Sequence, residues 1–408
     1  MRILILSQWF DPEPTFKGMV FARELVRLGH DVEVLTGFPN YPGGKLYPGY
    51  RVRLLQRETV DGVSIIRVPL YPSHDGSAVR RIMNYLSFAL SAAILGPFLV
   101  RRADVAYVYH PPATVALPAM ALRLFRRIPF LYDVQDLWPD TLSATGMVNS
   151  RRILTCVDLF CRLTYRMASK VVVLSPGFRR MLLERGVPTG KLAMIYNWCD
   201  EAQIVSTAAG DEAPELNGRF NVIFAGTMGK AQALDAVLEA AQLLKQRQPK
   251  VQFVLVGGGI QVEHLEREKK RMGLGNVLFL PRRPVSEIGS LLSRADALLV
   301  HLKDDPLFAI TLPSKTQAYL AIGRPIIMAV RGDAADLVER AGAGIPCLPG
   351  NAQSIAEAVE KLVAMDKEQL DQMGRNGAEY YQKELALPVG TRKFEELFQA
   401  VAGAGASW

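Results

Sequence analysis

The sequence predicts an α/β protein made of two doubly wound, Rossmann-like domains. Short β-branched runs alternate with amphipathic stretches along most of the 408 residues, and such alternation builds a parallel sheet with helices on both faces. The length supports two domains, because one domain usually has about 100–200 residues. The alternation stops near Asp200 and restarts after a polar stretch, so we predict domains of residues 1–200 and 201–384.

The strands and helices follow from the pattern in chain order. RILILSQ opens as a buried strand, and MVFARELVRLGH follows as a helix that Gly29 ends. The later strands of the first half are DVEVLTG, VSIIRV, DVAYVYH, FLYDV and KVVVLS. AQIVSTAAGDEAPELNG reads as a linker or surface excursion. RFNVIFAG, VQFVLVGGG, VLFLP, ALLVHL and PIIMAV are the strands of the second half, and VGTRKFEELFQAVAGA is a helix that could pack on either domain.

The composition excludes several classes of protein. Hydrophobic residues make up 49% and charged residues 22% of the chain, which is typical of a globular protein and not of a disordered one. The four cysteines show neither a CxxC pair nor zinc-ligand spacing, and the first apolar run, Ile3 to Leu6, is too short for a secretion signal. We therefore expect reduced thiols, no bound metal and a cytoplasmic location.

Positive charge is concentrated in the first half of the chain. Residues 1–200 contain 25 Lys and Arg against 15 Asp and Glu, whereas residues 201–408 contain 23 against 25. A one-sided basic surface favours an anionic partner such as nucleic acid, anionic lipid or a phosphorylated substrate, although a solvated surface without a partner has the same composition. No nucleic-acid-binding motif accompanies these arginines, so we expect no nucleic acid partner.

One long apolar segment suggests contact with a membrane. Residues 82–100 carry no charge, and the pairs Arg80-Arg81 and Arg101-Arg102 bracket them. The length approaches the about 20 residues of a membrane span, but polar residues and a proline interrupt it, and equally basic flanks specify no orientation. We expect a helix partly buried in the first domain, with an interfacial helix as the second interpretation and a span as the third. The basic half predicts peripheral binding to an anionic membrane surface, on the inner face of the cell membrane.

Ligands of open parallel sheets bind at the carboxyl ends of the strands, where the first domain carries several candidate residues. Gly18 follows the first strand at a helix start, where backbone amides favour an anion. His110 ends DVAYVYH, and Asp136 and Asp140 follow FLYDV, which would bring titratable groups into one crevice. A glycine needed for a turn, a structural histidine and aspartates that cap turns explain the same pattern without a ligand. No GxGxxG follows the first strand, which argues against a dinucleotide-binding dehydrogenase.

The second domain has three loops suited to a diphosphate. FAGTMGKAQALD is a strand, a glycine loop and a helix start, VLVGGGIQVEHLERE repeats the arrangement, and LPSK begins a third helix. Backbone amides and a cation at a helix start bind phosphate groups well. The candidate residues are Gly226, Thr227, Gly229, Lys230, Gly257, Gly258, Ser314 and Lys315.

At these residues the chain resembles the family-4 retaining glycosyltransferases of the GT-B fold. It is most similar to the subgroup that builds bacterial surface polysaccharides, including N-acetylfucosamine-type transferases of O-antigen and capsule assembly. The resemblance covers nearly the whole chain. Its motifs are LGHDVEVLTG, DLWPDTLSATGM, VVVLSPGFRRMLLERGVP, IYNWCD, AGTMGKAQALD, LVGGG, and LPSK followed by AIGRPI.

The resemblance implies two domains that face a central cleft. The second would hold a nucleotide-sugar donor, usually UDP-linked, and the first a lipid-linked (polyprenyl diphosphate) or saccharide acceptor. A C-terminal helix, 385–408, would pack back on the first domain. Neither metal nor another cofactor is implied, because backbone amides and basic side chains neutralise the diphosphate. We expect transfer of an N-acetylated amino or deoxy sugar with retention.

The resemblance also implies roles for the candidate residues. Lys230 and Lys315 would meet the donor diphosphate beside the glycine loops and Ser314, and Gly18 would approach it from the first domain. Asp136 and His110 would orient hydroxyl groups, so the predicted catalytic residues are Asp136, His110 and Lys230. Gln135 and Trp138 would lie on the acceptor side.

Two features depart from the family pattern. Many members carry a Glu-x7-Glu pair where this chain has Ile310 and Ala318, and histidine where it has Gln135. Two alternatives remain: a GT-B nucleotide-sugar epimerase or hydrolase, and a nucleic-acid-binding protein. The basic first half favours transfer to an anionic acceptor over the first alternative, and the lack of a recognised nucleic-acid-binding motif argues against the second.

Overall fold

The computed structural model describes residues 1–73, 77–144, 147–148, 150–204 and 214–405. They form two compact units, one of Met1–Tyr196 together with the chain from Leu387 onward, and one of Asn197–Ala386. Most of the predicted linker, residues 205–213, lies outside the described residues.

The first unit contains an eight-stranded sheet in the order β3-β4-β2-β1-β5-β6-β7-β8. Its strands are β1 (Arg2–Leu6), β2 (Asp31–Gly37), β3 (Gln56–Val60), β4 (Val63–Val68), β5 (Val105–His110), β6 (Phe130–Val134), β7 (Lys170–Val173) and β8 (Leu192–Met194). All neighbouring pairs are parallel except β3 with β4. The helices are α1 (Met19–Arg27), α2 (Ala78–Leu99), α3 (Ala116–Arg126), α4 (Asp140–Ala144), α5 (Arg151–Met167) and α6 (Pro176–Glu184).

The second unit contains a six-stranded, entirely parallel sheet in the order β11-β10-β9-β12-β13-β14. Its strands are β9 (Phe220–Thr227), β10 (Val251–Gly258), β11 (Val277–Leu280), β12 (Ala297–His301), β13 (Ile326–Ala329) and β14 (Gly344–Pro346). The helices of this unit are α7 (Glu201–Ile204), which precedes β9, and then α8 (Asp235–Arg247), α9 (Val262–Arg271), α10 (Val285–Ser293), α11 (Pro306–Ala309), α12 (Ser314–Ile322), α13 (Asp333–Arg340), α14 (Ala352–Val363) and α15 (Lys367–Glu384).

The predicted α/β fold with doubly wound sheets is confirmed, and each predicted strand is present. Three strands, β3, β8 and β14, were not predicted. β3 is a mostly exposed edge strand with the polar sequence QRETV, and the other two have three residues each. Edge strands bury little surface, so they lack the apolar run that marks a central strand.

The last helix, α16 (Leu387–Gly405), packs on the first unit against α1 and β5. Phe394 and Phe398 are fully buried there. The Phe394 ring lies 5.4 Å from that of Phe21 and 5.3 Å from that of Tyr107, between centroids. Burial of one such aromatic side chain contributes about 1.5–3 kcal/mol, so α16 is part of the core of the first unit.

Helix α2 contains the long apolar segment and has two different faces. Asn84, Phe88 and Ala92 are buried against the sheet side. Seven large apolar residues of the opposite face are exposed: Val79, Ile82, Met83, Leu86, Leu90, Ile94 and Phe98. It is long and apolar enough to cross a membrane, by length and composition alone. A contiguous exposed apolar face of this kind marks a surface of interaction with another molecule.

Candidate active site

In both sheets the strand order reverses beside the first strand of the unit. β1 lies between β2 and β5, and β9 lies between β10 and β12. A reversal of this kind opens a crevice at the carboxyl ends of the strands, where ligands of doubly wound sheets bind. The structure therefore provides one such crevice in each unit.

In the second unit the two glycine loops lie against each other. Gly257 pairs with Gly226 in the register of β9 and β10. A Cβ on Gly257 would lie 1.9 Å from the carbonyl oxygen of Gly226, and its φ is +144°. Only glycine fits this backbone and this close approach. These two glycines thus have a structural function whether or not a ligand binds.

Alanine at Gly257 is expected to destabilise the second unit by about 3 kcal/mol or more, since it combines a steric clash with a strained φ. Gly258 is the matched control, because a Cβ there meets nothing within 4 Å. Thermal unfolding of Gly257→Ala and Gly258→Ala measures the difference. Equal melting temperatures for the two variants would show that the fold does not depend on the close approach of Gly257 to Gly226.

Lys315 lies in the first turn of α12, above the glycine loop of β9. Its Nζ is 3.3 Å from the centroid of the Phe224 ring, and a Cβ on Gly226 would be 2.7 Å from its Cε. The described part of the chain provides no hydrogen-bond or ion-pair partner for this ammonium group. Burial lowers the pKa of Lys315 to about 7. A half-buried cation at a helix start, with no counter-ion among the described residues, is suited to an anionic ligand.

Three other donor-side candidates are more exposed than Lys315. Thr227 ends β9, Lys230 follows in the next loop and Ser314 begins α12, and all three residues are exposed. Gly229 begins a short 3₁₀ helix, where its N–H donates to Gln232 Oε1 at 3.0 Å. Ile310 and Ala318, at the positions of the family's glutamate pair, are half-buried.

His301, at the end of β12, was not singled out from the sequence. Its Nε2 accepts a hydrogen bond from the Gly350 N–H at 3.1 Å, so its Nδ1 donates to the Gln232 carbonyl at 2.7 Å. Burial lowers the pKa of this imidazole, which keeps it neutral and suits the two partners. His301 thereby fixes the loop that carries Lys230. The sequence feature that could have identified His301 is its position at the end of the predicted strand ALLVHL.

In the first unit, Gly18 is buried at the start of α1. The Asp11 carboxylate accepts from the Met19 N–H at 2.6 Å, and a Cβ on Gly18 would lie 2.2 Å from Asp11 Oδ2. The Asp11 carboxylate thus accepts from the backbone amide at the start of α1, where the sequence predicts an anion of the donor. Gly18 is required by this close approach, and its contact with the donor stays a prediction.

Beneath this helix start lies a buried ion pair. Lys17 Nζ is 2.6 Å from Asp133 Oδ2, and both side chains are almost completely buried. Tyr107 donates its hydroxyl to the same oxygen at 2.5 Å, and Gln135 Nε2 donates to Asp133 Oδ1 at 2.8 Å. Hydrogen bonds from three sides compensate the desolvation of this carboxylate. Gln135 is therefore oriented by the core of the unit.

Asp136 follows β6 by two residues and lies near the tyrosines Tyr41 and Tyr85. Burial raises the pKa of Asp136 to about 6. Burial is also the main cause of the raised pKa of Tyr41 and of Tyr85, and the Asp136 charge adds to both. Arg81, which also faces Tyr85, has a buried Nε without a hydrogen-bond partner in the described residues. The Trp9 and Tyr41 rings stack at 4.4 Å. This group, which we call the Asp136 pocket (Trp9, Tyr41, Arg81, Tyr85 and Asp136), combines aromatic rings with a carboxylate and has a cation beside Tyr85.

His110 and Trp138 lie next to one another. Their ring centroids are 5.6 Å apart. His110 is buried, which lowers its pKa to about 3 and keeps it neutral. Arg185 donates to the Trp138 carbonyl at 3.0 Å and forms an ion pair with Asp140, so this arginine holds the DLWPD segment in place. No group of three or more His, Cys, Asp or Glu suited to a metal ion occurs among the described residues.

Comparison with known families identifies the two units. The model of a glycosyl transferase 4-like domain matches residues 19–198, and that of glycosyl transferases group 1 matches residues 211–380. Together these matches span most of the chain. The chain belongs to the glycosyltransferases.

The relatives of this glycosyltransferase include two bacterial proteins that are themselves named as glycosyltransferases. WcaI of Escherichia coli K12, named as a colanic acid biosynthesis glycosyl transferase, is 26% identical over 383 residues, which is 89% of this chain and 91% of WcaI. The glycosyltransferase WbjE of Pseudomonas aeruginosa is 24% identical over 285 residues, 68% of this chain and 70% of WbjE.

Solved structures show the same fold over the whole glycosyltransferase. HepE of Anabaena, in complex with UDP-glucose, has a TM-score of 0.70 at 17% identity and covers 98% of this chain and 100% of its own. Sucrose-phosphate synthase of Thermosynechococcus elongatus has a TM-score of 0.68 at 17% identity, with 99% of both chains covered. The fold is that of the GT-B glycosyltransferases, with two Rossmann-like domains.

Proposed function

We propose that this glycosyltransferase moves an N-acetylated amino or deoxy sugar, with retention, from a UDP-linked donor to a lipid-linked saccharide of surface-polysaccharide synthesis. The observation that carries the proposal is Lys315, a half-buried cation without an acidic partner in the described residues, at a helix start above the Gly226 loop. The UDP-glucose complex of HepE supports a UDP-linked donor, and the colanic acid relative supports a polysaccharide product.

The donor diphosphate would bind to the second unit. The Lys315 side chain and the backbone amides of Ser314 and Lys315, at the start of α12, would face its charge, and Lys230 would approach from the exposed loop after β9. Charge develops on the diphosphate as the bond to the sugar breaks, so fixed cations and amides stabilise the transition state more than the ground state.

The acceptor would bind to the first unit at the Asp136 pocket. Stacked aromatic rings suit the apolar face of a sugar, and Arg81 suits a phosphate group. Asp136 would orient the attacking hydroxyl, with Gln135 and Trp138 beside it and neutral His110 supporting Trp138. In a retaining transfer, a leaving phosphate oxygen can take the proton of that hydroxyl, so the protein supplies position and charge.

The proposal is tested by donor turnover with and without acceptor. UDP-linked N-acetylated sugars should raise the melting temperature of the protein, because they bind the folded state. UDP release should depend on a polyprenyl-diphosphate-linked saccharide. Rapid UDP release without any acceptor, at the same rate as with it, would instead identify a nucleotide-sugar hydrolase or epimerase.

Transfer is expected to continue in the presence of EDTA. Lys315, Lys230 and backbone amides provide the positive charge that a divalent ion would otherwise bring to the diphosphate. The measurement is the initial rate in EDTA compared with that in added magnesium or manganese. An enzyme that EDTA inactivates and either ion restores would contradict the metal-free proposal.

The protein is proposed to act in the cytoplasm, on the inner face of the membrane. The exposed face of α2 supports this location, as do the exposed arginines at the start of α5, Arg151 and Arg152. Each basic residue near an anionic bilayer contributes about 1 kcal/mol. The exposed apolar side chains of α2 would add a contribution that salt does not screen.

Vesicle sedimentation should show stronger binding to anionic than to neutral vesicles, and weaker binding at high salt. Phe98, which is 85% exposed on α2, is expected to insert, so Phe98→Ser should lower the partition coefficient about tenfold. Ile260→Ser is the matched control, since Ile260 is 80% exposed in the second unit. Equal pelleting of both variants, or equal binding to neutral vesicles, would reject docking through α2.

A further inference from the structure

A cavity of about 390 Å³ lies in the first unit between α2, α3 and α5. Its walls come from Leu86 on α2, Leu117 on α3, Ile153, Val157 and Phe160 on α5, and Trp138 after β6. Almost all the lining atoms are apolar, and the volume is in the range of about 300–1,000 Å³ typical of small-molecule sites. We call this cavity the α2–α5 groove.

The groove is open to water along the first half of α5. Its buried residues, Cys161, Thr164 and Tyr165, all lie in its second half. Ile153 is half-exposed near its first turn. An apolar cavity that is open to water marks a place where an apolar ligand lowers the free energy.

The surroundings of the groove are basic. Helices α2, α3 and α5 together contain eight arginines and one acidic residue, Asp158. Arg152 lines the groove itself. An apolar channel with a cationic rim is complementary to a ligand that joins a hydrocarbon chain to a phosphate group.

The groove ends beside the proposed acceptor site. Trp138 lines it, contacts the His110 ring and follows Asp136 by two residues. Leu86, which also lines the groove, follows Tyr85 along α2, and Tyr85 belongs to the Asp136 pocket. A chain that occupies the groove would therefore place its head group near Asp136 and Arg81.

We propose that the α2–α5 groove binds the hydrocarbon chain of the lipid-linked acceptor, with the phosphate group held by the arginines of its rim. This inference rests on the proposed function, because it assigns the chain to the acceptor. It adds a specificity: acceptors with a chain bind more tightly than the same saccharide diphosphate without one.

Cys156 provides a direct probe of the groove. It lines the cavity and is exposed, whereas Cys161 and Cys199 are buried and Cys347 is a half-buried thiol of the second unit. Farnesyl phosphate should slow alkylation of Cys156 by N-ethylmaleimide by about tenfold and leave Cys347 unchanged. Inorganic phosphate should protect neither thiol. Unchanged alkylation of Cys156 at saturating farnesyl phosphate would overturn the proposal, as would equal protection by a zwitterionic phosphocholine of similar chain length.

Two variants of α5 separate filling of the groove from general damage. Cys156→Trp should fill it and weaken binding of radiolabelled farnesyl phosphate about tenfold or more, since a few methylene groups account for such a change. Leu159→Trp, an exposed position of the same helix outside the lining, should leave binding unchanged. Equal binding by both variants would place the chain elsewhere.

Neither measurement needs the donor. If the wild-type protein transfers no sugar but farnesyl phosphate still protects Cys156, the proposed reaction is refuted and the groove remains a lipid site. Normal transfer with equal KM values for acceptors with and without a chain would refute the groove and retain the reaction.

Discussion

Replacement of Lys315 by alanine is expected to reduce both UDP affinity and sugar transfer by at least about tenfold. The ammonium group is half-buried and has no counter-ion among the described residues, so a diphosphate would gain a charge-assisted contact in a poorly solvated place. Isothermal titration with UDP and the initial rate of transfer measure the two losses. Lys230→Ala should also reduce transfer about tenfold, with a smaller loss of UDP affinity because Lys230 is exposed.

The pH dependence of UDP binding gives a sharper test of the same lysine. Burial lowers the pKa of Lys315 to about 7 in the free protein, whereas a bound diphosphate favours the charged form and raises that pKa. Above pH 7 the lysine must therefore take up a proton on binding, so affinity should fall by up to about tenfold per pH unit. Lys315→Arg should bind without this decline between pH 7 and 9, because a guanidinium stays protonated. A wild-type affinity that is constant over this range would remove Lys315 from the diphosphate site.

Asp136→Asn is expected to lower kcat by about a hundredfold while UDP affinity is kept, because the carboxylate would act on the acceptor. Burial raises the pKa of Asp136 to about 6, so the wild-type rate should increase as the pH rises through 6 and the carboxylate ionises. The asparagine variant should lose this increase.

Asp140→Asn is the matched control for Asp136. Asp140 belongs to the same segment but forms an ion pair with Arg185, so its loss should lower the melting temperature and leave the pH profile of transfer intact. A wild-type profile that is flat between pH 5 and 7, or an Asp136→Asn variant with normal kcat, would exclude the carboxylate from the reaction.

The fold was predictable because central strands of a doubly wound sheet are buried on both faces. β1, β5 and β10 consist mainly of apolar residues, and such strands between amphipathic helices leave few other architectures. The glycine loops were predictable for a related reason, because Gly257 has a backbone conformation that only glycine adopts readily.

The polar environment of the candidate site could not be predicted from the sequence in the same way. Asp11 occupies the amide site at Gly18, and Tyr85 of α2 approaches Asp136 of another element. These contacts join residues that are distant along the chain, and periodicity records only local spacing. The α2–α5 groove could not be predicted for the same reason, since three separate helices form its walls.

The position of α16 has a consequence for how the protein is made. The first unit buries Phe394 and Phe398 of this helix against Phe21 and Tyr107, yet the ribosome synthesises α16 only after all of the second unit, Asn197–Ala386. Domains generally fold as they emerge, so the second unit can complete its core during translation while the first still exposes an aromatic surface. Closure of that surface by α16 is then the final step of folding, and the unit whose synthesis begins first is the one that is finished last.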